Sequence, residues 1–229
     1  MPVTFSLHEC SLPMIILNFK TYPQATGEKA VELASICQEV AEETGVKIII
    51  GLQVSDIFRA ASQIKIPIFS QHGDPVEPGE NTGFTSALAL KKAGAAGVFF
   101  NHSEHPFPTF ESLGKAINLA KKENLETLVF VKDIPGARKA DEFKPDYLVL
   151  EDPHLIASET AMIEKPENFQ FIRDFIKSTQ AMPLIGAGIR TKEDVFQSLK
   201  IGLKGVGLSS AFVKADNPQE VLLSLASAF

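Results

Sequence analysis

Eight short apolar runs, each followed by a stretch with helical spacing, constrain this chain more than any other feature. They are MIILNF (14–19), KIIIGL (47–52), IPIFSQ (66–71), GVFF (97–100), LVFV (128–131), YLVL (147–150), PLIG (183–186) and GVGL (205–208). All are too short for helices and continuous rather than alternating, as parallel strands covered on both faces are. The segments between them read as helices over Glu28 to Glu43, Val54 to Ser62, Ser86 to Ala93, Phe110 to Lys122, Glu167 to Thr179, Lys192 to Lys200 and Pro218 to Ala228, with a short, weak one near Ala137 to Glu142. Strand and helix alternating in this way is an α/β pattern. The 229 residues fall slightly under the ~250 usual for a closed (β/α)8 barrel. No linker or composition break divides them. The favoured reading is therefore one barrel domain over 1–229, with 1–12 as an N-terminal extension. A doubly wound open sheet is the alternative.

Composition narrows the function. The formal charge of -6 and pI near 5.4, with no basic cluster, argue against nucleic acid or an anionic membrane as partner. No apolar stretch reaches the roughly 18–20 residues of a membrane span. The opening MPVTFSLHECSLP has neither a cationic segment nor a long apolar one, so no signal peptide is expected. Two cysteines, Cys10 and Cys37, give neither a disulfide framework nor metal spacing and fit a reducing cytoplasm. His72, His105 and His154 are not spaced as a helical metal pair, and no nucleotide fingerprint is present. Chemistry without metal or cofactor is expected.

In barrels of this kind the active site lies at the C-terminal ends of the strands. There the sequence places Asn18 and Lys20 after the first run, Gln71 and His72 after the third, and Asn101, His102 and Glu104 after the fourth. Glu151 follows the sixth, Gly186-Ala187-Gly188 the seventh, and Ser209-Ser210 the eighth. Taken singly, each has a plain structural reading: Lys20 as a solvated loop charge, His102 as a satisfied polar residue, Glu151-Asp152-Pro153 as a turn, Thr191 and Asp194 as a helix cap. Their shared rim argues otherwise. The glycine and serine turns offer backbone N–H groups to a phosphate. Glu151 is placed to take a proton from carbon beside a carbonyl, while neutral His102 and Lys20 stabilise the enediolate oxygens.

The ordered set NFKTY (18–22), QHGDP (71–75), NTGFTSALALKKAGAAGV (81–98), NHSE (101–104), EDPHLI (151–156), GAGI (186–189) and GVGLSSAFVKA (205–215) resembles the triosephosphate isomerases, in the compact form typical of archaea. The resemblance runs from about Ile15 to the C-terminus. It implies a TIM barrel that interconverts glyceraldehyde 3-phosphate and dihydroxyacetone phosphate in glycolysis and gluconeogenesis. It implies Lys20 and Asn18 as substrate-holding residues, His102 as electrophile, Glu151 as base and Glu104 as support beside the lysine. The backbone near Ile156, Gly188, Ser209 and Ser210 would bind the phosphate. Thr82 would reach a neighbouring subunit's site, in a homodimer or homotetramer.

The pattern departs from the family in places. Asp152 stands for a proline, and Ala157-Ser158-Glu159 for the Gly-Thr-Gly of the mobile loop. Ala211 replaces a glycine, and His105-Pro106 replaces basic residues. The expectation is an active isomerase with an altered lid. Two other readings stay open: a non-catalytic phosphosugar-binding or scaffold protein, and an isomerase or aldolase for another phosphosugar, for which Lys132 is the obvious alternative lysine.

Overall fold

The structure, a computed structural model, describes residues 13–152, 161–186 and 188–229. The expectations for 1–12, His154, Ile156, Ala157-Ser158-Glu159 and Ala187 lie outside the described residues. Eight parallel strands close into a barrel in chain order: β1 (Met14–Asn18), β2 (Lys47–Leu52), β3 (Ile68–Ser70), β4 (Gly97–Phe100), β5 (Glu126–Val131), β6 (Tyr147–Leu150), β7 (Met182–Ile185) and β8 (Gly205–Leu208). Closure is made at β1, where Ile15 lies opposite Ile48 of β2 on one side and Val206 of β8 on the other. The open-sheet alternative is thereby excluded.

The continuous apolar runs follow from burial on both faces. Met14, Ile16, Ile49, Phe69, Phe99 and Leu128 form one cluster, which fills the barrel. Their neighbours Ile15, Leu17, Ile48, Ile50, Val98 and Val129 belong to a second, between barrel and helices. Alternate residues thus serve different cores, each such side chain contributing about 1.5–3 kcal/mol. Gly51 of β2 makes room for the interior layer: a Cβ there would lie 2.1 Å from the Phe99 ring.

The outer helices are α1 (Glu28–Thr44), α2 (Val54–Ala61), α3 (Ala87–Ala93), α4 (Phe110–Lys122), α5 (Ile134–Asp141), α6 (Phe169–Ser178), α7 (Lys192–Ile201), α8 (Ser210–Val213) and α9 (Pro218–Ala226). Their starts are chemically marked. Thr109, Thr191 and Asn217 accept N–H bonds at the starts of α4, α7 and α9, and Gly45, Gly94 and Gly202 end α1, α3 and α7 with positive φ. Three of the differences from expectation have a local reason. α5 begins at Ile134 because Asp133 caps it through Gly136 N–H and a proline sits in its first turn. α6 begins at Phe169 because a separate 3-10 turn, Pro166–Asn168, takes the preceding residues. The four-residue α8 is too short to show a period. Among the described residues, no helix is long and apolar enough to cross a membrane.

Candidate active site

The parallel topology brings the ends of β1, β4, β6, β7 and β8 to one rim. A cleft there is lined by Asn18, Lys20, His102, Glu151, Gly188, Ser209 and Ser210, together with Tyr22, Arg190 and Ala211. Every expected site residue within the described part lines it, except Glu104, which reaches it through Lys20 and His102. Ile156 lies outside the described residues.

Lys20 follows β1 in a conformation that disfavours side chains, with φ 48°. Its neighbours hold it there. Its N–H donates to Asn18 Oδ1 at 3.0 Å, and its carbonyl accepts from Gln71 Nε2 at 2.9 Å. Gln71 donates also to the Gly51 carbonyl at 3.0 Å, tying the turn to β2. The Lys20 ammonium donates to Glu104 Oε1 at 2.8 Å. Glu104 is half exposed, so this pair aims the lysine more than it stabilises the fold. Strain of about 1–3 kcal/mol, fixed in place by three partners, removes the reading of Lys20 as a loose loop charge.

Asn101 also has positive φ, 61°. Its amide donates to the Phe130 carbonyl at 3.0 Å and its Oδ1 accepts from Phe107 N–H at 3.1 Å. This turn delivers His102 into the rim, where it is only 7% exposed and packs edge-on against Phe130. The Glu104 N–H donates to His102 Nδ1 at 3.2 Å. A neutral ring that accepts at Nδ1 carries its proton on Nε2. Burial, and then the Lys20 charge, depress the imidazole pKa to about 4 against the pull of Glu104. His102 is therefore neutral near pH 7, with Nε2–H toward the cleft.

Glu151 faces it. Its Oε2 lies 3.3 Å from His102 Nε2 yet makes no hydrogen bond to the described residues. Burial raises its pKa to about 7; Lys20 opposes the shift, Glu104 adds to it, and a hydrogen bond from Ser103 opposes it. Glu151 and Phe130 line both the cleft and a cavity of about 410 Å³ walled by Phe107, Phe110, Leu113 and Pro135.

Gly188, also in the cleft lining, turns with φ 77°, which favours glycine. Ser209 precedes α8, and its Oγ is buried without a partner among the described residues. Ala211, in α8, needs no positive φ, so the loss of a glycine is tolerated. His105 stacks on His72, ring centroids 4.0 Å apart, so the pair departing from the family pattern packs the rim of β3 against that of β4. Among the described residues no group of three or more acidic, histidine or cysteine side chains is arranged to hold a metal. Sequence reasoning missed Ser103 and Arg190. Ser103 sits inside the same polar run as His102, and Arg190 is the first cation after the glycine turn; both signals were local.

A high-pKa carboxyl, a neutral imidazole donor and a fixed lysine on a (β/α)8 rim define a barrel enzyme for proton transfer, an intramolecular isomerase. The triosephosphate isomerase family model matches residues 13–228, and the chain belongs to that family. It is 38% identical over 220 residues to triosephosphate isomerase of Methanobacterium bryantii, covering 94% of this chain and 96% of that one. It is 38% identical over 216 residues to triosephosphate isomerase of Methanosarcina acetivorans, covering 93% and 97%. The crystal structure of triosephosphate isomerase from Bartonella henselae is similar in fold, with TM-score 0.71 and 18% identity over 94% of this chain and 98% of that one.

Proposed function

We propose that this protein interconverts D-glyceraldehyde 3-phosphate and dihydroxyacetone phosphate through an enediolate. The observation that carries the reading is the facing pair: neutral His102 with its proton on Nε2, and Glu151 with a pKa near 7, 3.3 Å away. Glu151, ionised, removes the proton from the carbon beside the carbonyl. The electron pair moves into the new carbon–carbon double bond and onto oxygen. His102 Nε2–H and the Lys20 ammonium meet that charge, in a site already arranged to do so. The proton of the neighbouring hydroxyl passes to the charged oxygen, and Glu151 returns its own proton to the adjacent carbon, so that one proton has moved between the carbons and one between the oxygens. Asn18 holds Lys20 and the near end of the substrate. Backbone N–H groups at Gly188, Ser209 and Ser210 bind the phosphate, and Ile156 is assigned the same role.

Ala157-Ser158-Glu159 stands where the family has Gly-Thr-Gly, and activity is proposed to be retained with it. The exposed Thr82 and Phe84, the latter 57% exposed on the loop before α3, form the contact with a second subunit. Phe84→Asp should then give a smaller species by light scattering. Cys37, a buried free thiol with its pKa raised by burial, suits a reducing cytoplasm.

The test is turnover of glyceraldehyde 3-phosphate by the purified protein beside Glu151→Gln, which controls for a contaminating host isomerase. Turnover lost in the variant is the expected result. Equal background in both would overturn the reading in favour of a non-catalytic barrel.

A further inference from the structure

We infer that Arg190 supplies a side-chain cation to the substrate's phosphate, in a subsite otherwise made of neutral backbone dipoles. The inference rests on the isomerase reading for the identity of the ligand. Its geometry stands apart from it.

Arg190 lines the same cleft as Gly188, Ser209 and Ser210. Its backbone is clamped. The N–H groups of Arg190 and Thr191 both donate to Asp194 Oδ2, at 3.0 and 2.8 Å, while Asp194 N–H donates to Thr191 Oγ1 at 3.2 Å. Asp194 is 4% exposed. Its carboxylate is committed to these N–H groups at the start of α7 and is not the guanidinium's counterion. Among the described residues the Arg190 side chain makes no ion pair or hydrogen bond, and the residue is exposed while lining the cleft.

The charge balance of the cleft gives this cation a task. The other cation lining it, Lys20, serves the reacting end and is already bonded to Glu104 at 2.8 Å. Ser209 Oγ, also in the cleft lining, is buried without a partner among the described residues. A phosphate placed there carries close to two negative charges into a protein of net charge -6. Dipoles alone would meet that charge without Arg190. A guanidinium offers planar paired donors suited to phosphate oxygens, and its long stem reaches from a fixed backbone.

The experiment measures binding of sn-glycerol 3-phosphate, an unreactive probe, by titration calorimetry to wild type, Arg190→Gln and Arg190→Lys. Glycerol is the uncharged control. The substitutions leave the N–H bond to Asp194 intact, and circular dichroism verifies folding. Arg190→Gln should weaken probe binding roughly ten-fold, with Arg190→Lys between it and wild type. The kcat/KM for glyceraldehyde 3-phosphate should fall by a similar factor, mostly through KM. Turnover of unphosphorylated glyceraldehyde should not change. Probe binding equal in wild type and Arg190→Gln would overturn the inference, even in an active isomerase. Arginine-dependent binding without turnover would uphold it while removing the isomerase reading.

Discussion

The backbone N–H of Glu104 donates to Nδ1 of His102 at 3.2 Å, and this one bond sets which nitrogen of the imidazole faces the cleft. The contact spans two residues of a single turn, so it is fixed before any ligand arrives. It leaves Nε2 protonated toward Glu151 and makes the ring a hydrogen-bond donor without giving it a charge. A neutral donor with a pKa near 4 polarises a carbonyl without having to protonate it fully.

Nitrogen-15 NMR should therefore find His102 neutral, with its proton on Nε2, at every pH above about 5. A ring protonated on Nδ1 at neutral pH would contradict the geometry. His102→Asn removes the Nε2 donor, and kcat should fall on the order of 100- to 1000-fold with a much smaller change in KM, as loss of a preorganised donor does.

The pH profile should report Glu151. The base acts ionised, and burial has moved its pKa to about 7. Log kcat/KM should fall with unit slope below that pH, while His102 stays neutral until about pH 4 and adds no second limb in between. Burial is the main cause of the raised Glu151 pKa, and the Glu104 charge adds to it. Glu104→Gln should thus shift the acid limb to lower pH, and kcat should drop as well because Lys20 loses its 2.8 Å partner. An acid limb that stays put in the variant would mean that burial alone sets the pKa.

Stability should carry the same signature. Glu151 holds its proton more tightly folded than unfolded, so its contribution is fully present below its ordinary 4.5 and is lost as pH rises through about 7. Moving the pKa that far corresponds to roughly 3 kcal/mol. His102 runs the other way: its contribution is full above 6.5 and is lost as pH falls through about 4. Urea unfolding of wild type and Glu151→Gln should show the variant gaining on wild type by about 3 kcal/mol between pH 4.5 and 8. A constant difference across that range would show that the buried carboxyl is not perturbed.

How much of this was legible in the sequence depends on the range of each interaction. The barrel was legible because each strand buries both faces, so Ile15 and Ile16, for example, are both apolar while facing different cores. Strands β2, β4, β6 and β8 fall on the expected residues for that reason. The start of α5 was also written locally, in Asp133 and Pro135, but the weak apolar period obscured it. The rim followed from the topology. The state of its side chains did not. The pKa of Glu151 depends first on burial and then on Lys20 and Glu104, and the twist of Lys20 on Gln71, partners far apart in the chain.

Gln71 is the least conspicuous of these partners and gives the sharpest test of the rim's construction. Its single amide nitrogen donates to the carbonyls of Lys20 and Gly51, at 2.9 and 3.0 Å, bridging the strained turn to β2. Gln71→Leu leaves the Lys20 carbonyl without that donor, which costs on the order of 1–3 kcal/mol for a group left unpaired, while the Gly51 carbonyl keeps the Phe19 N–H at 3.0 Å. With the bridge gone, the φ of 48° at Lys20 is no longer held, and the backbone can relax toward negative φ, swinging the ammonium away from Glu104. Gln71→Leu should lower Tm, and it should also lower kcat by about ten-fold or more, since a misplaced catalytic group is costly in rate. Gln71→Glu keeps the length and removes the donor, so it should show the same loss. If either variant lost Tm alone and kept its kcat, Asn18 and Glu104 would suffice to hold the lysine, and Gln71 would act only as a brace between β1 and β2.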